Sequence, residues 1–131
     1  MSKGMIAALS LVLISTAPTI ADARSNSGDT STACLTSSAR NLLARIRAQF
    51  GNVQIVSTCR PGARIAGTSH PSRHASGQAI DFRVPGRKAE VVRWLIANHR
   101  SGGTMTYRDM DHIHVDVGPR FVSLGAPSGR T

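Results

Sequence analysis

Gln78-Ala-Ile-Asp-Phe-Arg-Val84 is the stretch on which the fold turns. Its β-forming residues read as a strand, with Ile80 and Phe82 on one face and Asp81 on the other. Pro85-Gly86 then turns the chain. Arg87 to His99 follows as a helix whose buried stripe is Val91, Val92, Leu95 and Ile96. Upstream, residues 60–77 hold two Pro, three Gly and four Ser or Thr, a long loop of the kind that usually carries function. Before it, Val53 to Cys59 alternates as a strand. Thr36 to Phe50 reads as a helix capped by Ser37 or Ser38, with Leu42, Leu43, Ile46 and Phe50 on one face and Gly51 at its end. Downstream, Gly102-Gly103 breaks the chain, and Thr104 to Arg108 and His112 to Val117 read as a strand pair. The order of elements predicts an α+β domain, a small antiparallel sheet with two packed helices.

A chain of 131 residues is one domain by length, and 40% hydrophobic with 18% charged residues excludes wholesale disorder, collagen and coiled coil. The net charge of +9 favours anionic partners, while 4% aromatic content argues against stacking on single-stranded nucleic acid. Lys3 followed by the apolar or small run Met5 to Ile20 and by Ala21-Asp-Ala23 reads as a signal peptide, residues 1–23, cleaved after Ala23. Ser15, Thr16, Pro18 and Thr19 interrupt that run, which falls short of the ~20 apolar residues of a spanning helix. An exported protein, periplasmic or secreted and without a membrane anchor after cleavage, is therefore expected. Loss of Lys3 and Asp22 leaves the charge at +9, so the expected anionic partner is cell wall and not nucleic acid. Residues 24–35 read as a flexible lead-in, 36–120 as the domain and 121–131 as a C-terminal tail. Cys34 and Cys59 are expected to bridge in an oxidising compartment; two buried thiols are the alternative.

The chemistry concentrates in His74-Ala-Ser-Gly-Gln-Ala-Ile-Asp81 and His112-Ile-His114. Imidazole nitrogen and carboxylate oxygen are good zinc donors. His112 and His114, two apart on a strand, share a face. Gly77 allows the loop to turn back so that His74 comes beside Asp81. Three protein donors with one open position are the pattern of catalytic zinc. Each residue also has a plainer reading. Asp81 would pair with an arginine, His114 would sit in the core, and Arg60 would hold an acidic side chain. Asp116, two further along the same face, is either a partner to a ligand histidine or a surface charge.

Ser72-Arg-His74, Asp81 and Asp111-His-Ile-His-Val-Asp116 together resemble the zinc D-Ala-D-Ala carboxypeptidase family, in the superfamily shared with lysostaphin-type endopeptidases and hedgehog domains. Val56-Ser-Thr-Cys-Arg60-Pro and Tyr107 to Pro119 add to the likeness, which covers about residues 36 to 120. The resemblance implies one zinc ion held by His74, Asp81 and His114, and peptidoglycan stem peptides as substrate, cut by carboxypeptidase or endopeptidase action. Ser72 would support the site and Arg60 would polarise the scissile carbonyl. The family's general base is a Glu three residues before the last ligand; Asp111 stands there, one methylene shorter, and His112 competes for the role. That departure keeps a second reading open, a non-catalytic zinc domain of the same fold that binds the wall.

Overall fold

A computed structural model describes residues 29–128, so the signal-peptide reading of residues 1–23 lies outside the described residues. Helix α1 spans Ser37–Phe50, β1 Gln54–Ser57, β2 Ala79–Arg83, α2 Lys88–Asn98, β3 Gly103–Tyr107, β4 Ile113–Asp116 and β5 Phe121–Ala126. A short 3-10 helix, Arg73–Ser76, interrupts the long loop. The architecture is α+β, two helices on a five-stranded sheet of order β1-β2-β4-β3-β5.

The cap of α1 is Thr36 and not Ser37 or Ser38: its hydroxyl accepts from the Ala39 N–H at 3.3 Å. The apolar face then runs Ala39, Leu42, Leu43, Ile46 and Phe50, all buried. These side chains meet Ile80, Phe82, Ile113 and Val115 from the sheet, and Val91 and Leu95 from α2. Phe50 and Trp94 close the helix–helix contact edge to face, with ring centres 5.6 Å apart. Because side chains alternate along a strand, this core takes one face of the sheet and leaves Asp81 and His114 on the other.

The sheet is mixed, not antiparallel. β2 pairs antiparallel with β1 and β4, and β4 with β3, but β5 runs parallel to β3. β4 already occupies one edge of β3, so the chain leaving β4 passes the start of β3 and pairs along its far edge. Gly102 and Gly103 sit at that crossing. A Cβ on Gly102 would collide with the Asp116 carbonyl, and one on Gly103 with the Phe121 ring. The glycine pair is thus the point over which the chain passes. The residues expected to form a C-terminal tail from 121 onward supply β5 as far as Ala126.

The expected lead-in, 24–35, is not loose where it is described. Asp29 and Ser31 carbonyls accept from the Thr58 hydroxyl at 2.7 Å each, and Thr58 N–H donates to Asp29 at 2.6 Å. Cys34 and Cys59 form a disulfide that fastens this segment to the end of β1. Gly77, at φ 68°, lies so close to the Cys34 carbonyl that any Cβ would strike it. Its own carbonyl accepts from the Thr36 N–H at 2.9 Å. The bridge closes a loop over 25 positions, and on the chain-entropy account it stabilises by about 3 kcal/mol. Replacing both cysteines with serine is expected to lower the unfolding free energy in denaturant by that amount. A loss below about 1 kcal/mol would show that the native contacts alone hold this segment.

Candidate active site

The antiparallel register sets Asp81 directly opposite His114, on the face away from the helices. His74 arrives from the 3-10 helix, whose cap is Ser72: the Ser72 hydroxyl accepts from the His74 N–H at 3.3 Å. All three side chains are buried. His74 Nε2 lies 3.1 Å from Asp81 Oδ1, His114 Nδ1 lies 3.0 Å from the same oxygen, and the two nitrogens are 3.2 Å apart.

The outer nitrogens decide what this triangle is. His74 Nδ1 faces the Thr58 carbonyl, an acceptor only, so it carries the proton and donates. His114 Nε2 faces Asp116 Oδ2 at 3.2 Å and donates to that carboxylate. Both inner nitrogens are thereby turned toward Asp81 Oδ1 as lone pairs. Three acceptors in contact repel one another unless a cation lies among them, a proton or a metal ion. Donors about 2.0–2.2 Å from a tetrahedral zinc stand roughly 3.3–3.6 Å apart, so the observed triangle fits such an ion after an outward shift of a few tenths of an ångström.

Asp116 is a buried partner and not a surface charge. Its Oδ1 accepts from the N–H groups of Gly103 and Gly118, at 3.1 and 2.9 Å. Its carbonyl accepts from Nε2 of the buried His99 at 2.8 Å. His99, which the sequence offered only as a helix-end residue, thus ties the C-terminal end of α2 to the strand that carries His114. The Thr58 carbonyl could not be found by side-chain pattern at all, because it is backbone.

Burial alone would push His114 down, but hydrogen bonds to the Asp116 and Asp81 carboxylates overcome it and push the ring up to about 9. Burial likewise opposes ionisation of Asp81, yet hydrogen bonds from His114 and His74 hold its carboxyl well below the usual carboxylate range. Without metal, the cluster therefore holds a proton between a carboxylate and two imidazoles.

Around the triangle opens a cleft of about 1130 Å³. Its walls include Arg60, Arg73, Tyr107, His112 and Arg120. Arg60, half exposed, brings Nη2 to 3.5 Å from Asp81 Oδ2. Tyr107 faces His112, with ring centres 5.4 Å apart, and burial pushes the His112 ring down and the Tyr107 phenol up. Asp111 is exposed and is not among the residues lining the cleft. Residues 112, 114 and 116 line the cleft, whereas Asp111 lies at a bend two residues before β4 begins. Of the two expected bases, the structure brings His112 to the cleft and leaves Asp111 outside its walls.

An α+β domain with two imidazoles and a carboxylate converging in an arginine-walled cleft is the class that fold and site define. The Peptidase M15 family model matches residues 17–116, and the chain belongs to that family. Among curated proteins, the peptidoglycan L,D-endopeptidase MepK of Escherichia coli strain K12 is 35% identical over 57 residues, covering 44% of this chain and 31% of that protein. The MepK of Shigella flexneri gives the same figures. The probable peptidoglycan L,D-endopeptidase MepK of Haemophilus influenzae is 40% identical over 53 residues, or 40% of this chain and 28% of that protein. The match spans less than a third of these relatives' length. No solved structure matches.

The proton in the cluster has a measurable consequence. Because its folded pKa is raised, His114 stabilises the metal-free fold fully below its ordinary 6.5 and loses that contribution as pH rises through about 9. With its pKa depressed, Asp81 contributes above its ordinary 3.8 and loses it as pH falls further. In chelator-treated protein the denaturant midpoint is expected to peak between pH 3.8 and 6.5 and to fall towards pH 9. A midpoint unchanged from pH 6 to 10 would show that no proton is held there.

Proposed function

We propose that the protein is an exported, zinc-dependent peptidase that hydrolyses amide bonds in peptidoglycan peptides, of endopeptidase type. The observation that carries this reading is the convergence of three acceptor atoms in an open cleft, with both imidazoles held from behind. Membership of the peptidase family and likeness to the MepK proteins support the substrate class. A cleft of about 1130 Å³ lies at or above the ~300–1,000 Å³ of small-ligand pockets, which suits a chain continuing beyond the scissile bond better than a short terminal dipeptide. Among the described residues no helix is long and apolar enough to cross a membrane.

His74 Nε2, Asp81 Oδ1 and His114 Nδ1 would hold the ion. Bound there, zinc would supply a Lewis acid and lower the pKa of a water to about 7. His112 is neutral near pH 7 because burial lowers its pKa. Standing on the face of His114, it takes a proton on its free imidazole nitrogen as the amide carbonyl is attacked, and returns it to the leaving amine. The half-exposed Arg60 guanidinium donates to the carbonyl oxygen as negative charge builds there. Ser72 keeps the His74 turn in place, and Asp116 holds the His114 ring with its proton on the outer nitrogen.

Two measurements test this. The purified protein is expected to bind one zinc per chain, lost in His74→Ala and in His114→Ala. Digestion of purified muropeptides is expected to fall by about 10²- to 10⁴-fold in His112→Ala with zinc retained, and to change little in Asp111→Ala. The opposite ranking would make Asp111 the base. Wild-type protein that holds zinc but cuts no muropeptide would establish a wall-binding domain instead.

A further inference from the structure

We propose that Arg73 is a seat for a free carboxylate of the substrate, so that the cleft selects carboxylate-bearing peptides over their amidated forms; this rests on the peptidase reading above. Arg73 precedes His74 in the 3-10 helix and lines the same cleft. Its guanidinium lies flat on Gly118: a Cβ there would come within 2.7–2.9 Å of Nε, Cζ and Nη2. Nη1 donates to Gln78 Oε1 at 2.8 Å. Gln78 is itself tied to the end of β4, its carbonyl accepting from the Val117 N–H at 3.1 Å. The guanidinium thus packs on a glycine that leaves it room and donates to a neutral amide.

The surroundings say which ligand suits that position. Arg60, Arg64, Arg83 and Arg120 line the cleft with Arg73, and the acids among its lining are Asp81 and Asp116. Asp116 is engaged with His114 and two backbone N–H groups, and Asp81 with both histidines and Arg60. Arg64 donates to the Ser69 carbonyl and Arg120 to that of His99. Among the described residues Arg64, Arg73, Arg83 and Arg120 make no ion pair, and of these Arg73 is the one next to His74 in the chain. The planar guanidinium fork matches a carboxylate in two-point fashion, and a hydrogen bond that orients it beforehand lowers the entropy lost on binding. The carboxylate comes either from the peptide's own terminus or from a side chain near the scissile amide.

Binding separates this inference from the peptidase reading. One stem-type tetrapeptide would be made in three forms: both carboxylates free, the terminus amidated, and the side chain amidated. Dissociation constants would be measured by calorimetry at fixed ionic strength. Wild-type protein is expected to bind the free form about tenfold or more tightly than one of the amidated forms, the size of a charge-assisted hydrogen bond. The form that weakens identifies the source of the carboxylate. Arg73→Gln is expected to abolish that difference, whereas Arg47→Gln, which removes an equal charge from an exposed site on α1, keeps it. Equal binding of all three forms by wild type, a preference surviving in Arg73→Gln, or equal loss in Arg47→Gln would overturn the proposal. A preference for the free form without any hydrolysis would keep the inference and refute the peptidase reading.

Discussion

The register between β2 and β4 places Asp81 against His114 across two strands, and everything else at the site is arranged around that pair. A carboxylate and an imidazole buried together in contact are costly unless each remaining lone pair and proton finds a partner. The protein meets that demand from outside the pair. Asp116, gathered in by two backbone N–H groups, takes the outer proton of His114. The Thr58 carbonyl takes the outer proton of His74. What remains is a single pocket of negative potential at the centre, which a cation relieves.

The sheet separates two jobs by the alternation of its side chains. Ile80, Phe82, Ile113 and Val115 are packed against α1 and α2, so the backbone that carries Asp81 and His114 is braced from behind. Elements remote in sequence complete the bracing. The disulfide and the Asp29–Ser31 segment hold Thr58 in place, and Gly77 lets the loop return against Cys34. His99 fixes Asp116 from the end of α2. A face proposed to hold a metal ion needs this rigidity, since an error of half an ångström in a donor is felt directly in affinity and rate.

Charge adds a second layer. The excess of arginine, read from composition alone, pointed no further than to an anionic partner. Folding distributes it unevenly, with five arginines lining one cleft whose two acids are both engaged. In such a cleft field lines are focused, which favours anionic ligands.

Much of this was legible in the chain itself. Periodicity marked both helices and four of the five strands within a few residues, because local burial patterns set helix and strand wherever propensity agrees. The pairing of His112 with His114 on one face follows from strand alternation, and both line the cleft. Other features had no local signature. β5 looked like a tail because exposed Phe121, Val122 and Leu124 form an edge strand that only pairing to β3 defines. The parallel direction of that pairing depends on which edge of β3 was still free. The carbonyl behind His74 is backbone, and the roles of His99 and Arg73 come from neighbours seventeen and forty-five positions away. The sequence by itself therefore determined the elements, the division of the strand faces and the chemical type of the donors. Tertiary structure alone decided which lone pairs converge, which of the two expected bases lines the cleft and which arginine lies against Gly118, because those depend on distances that no spacing along the chain encodes.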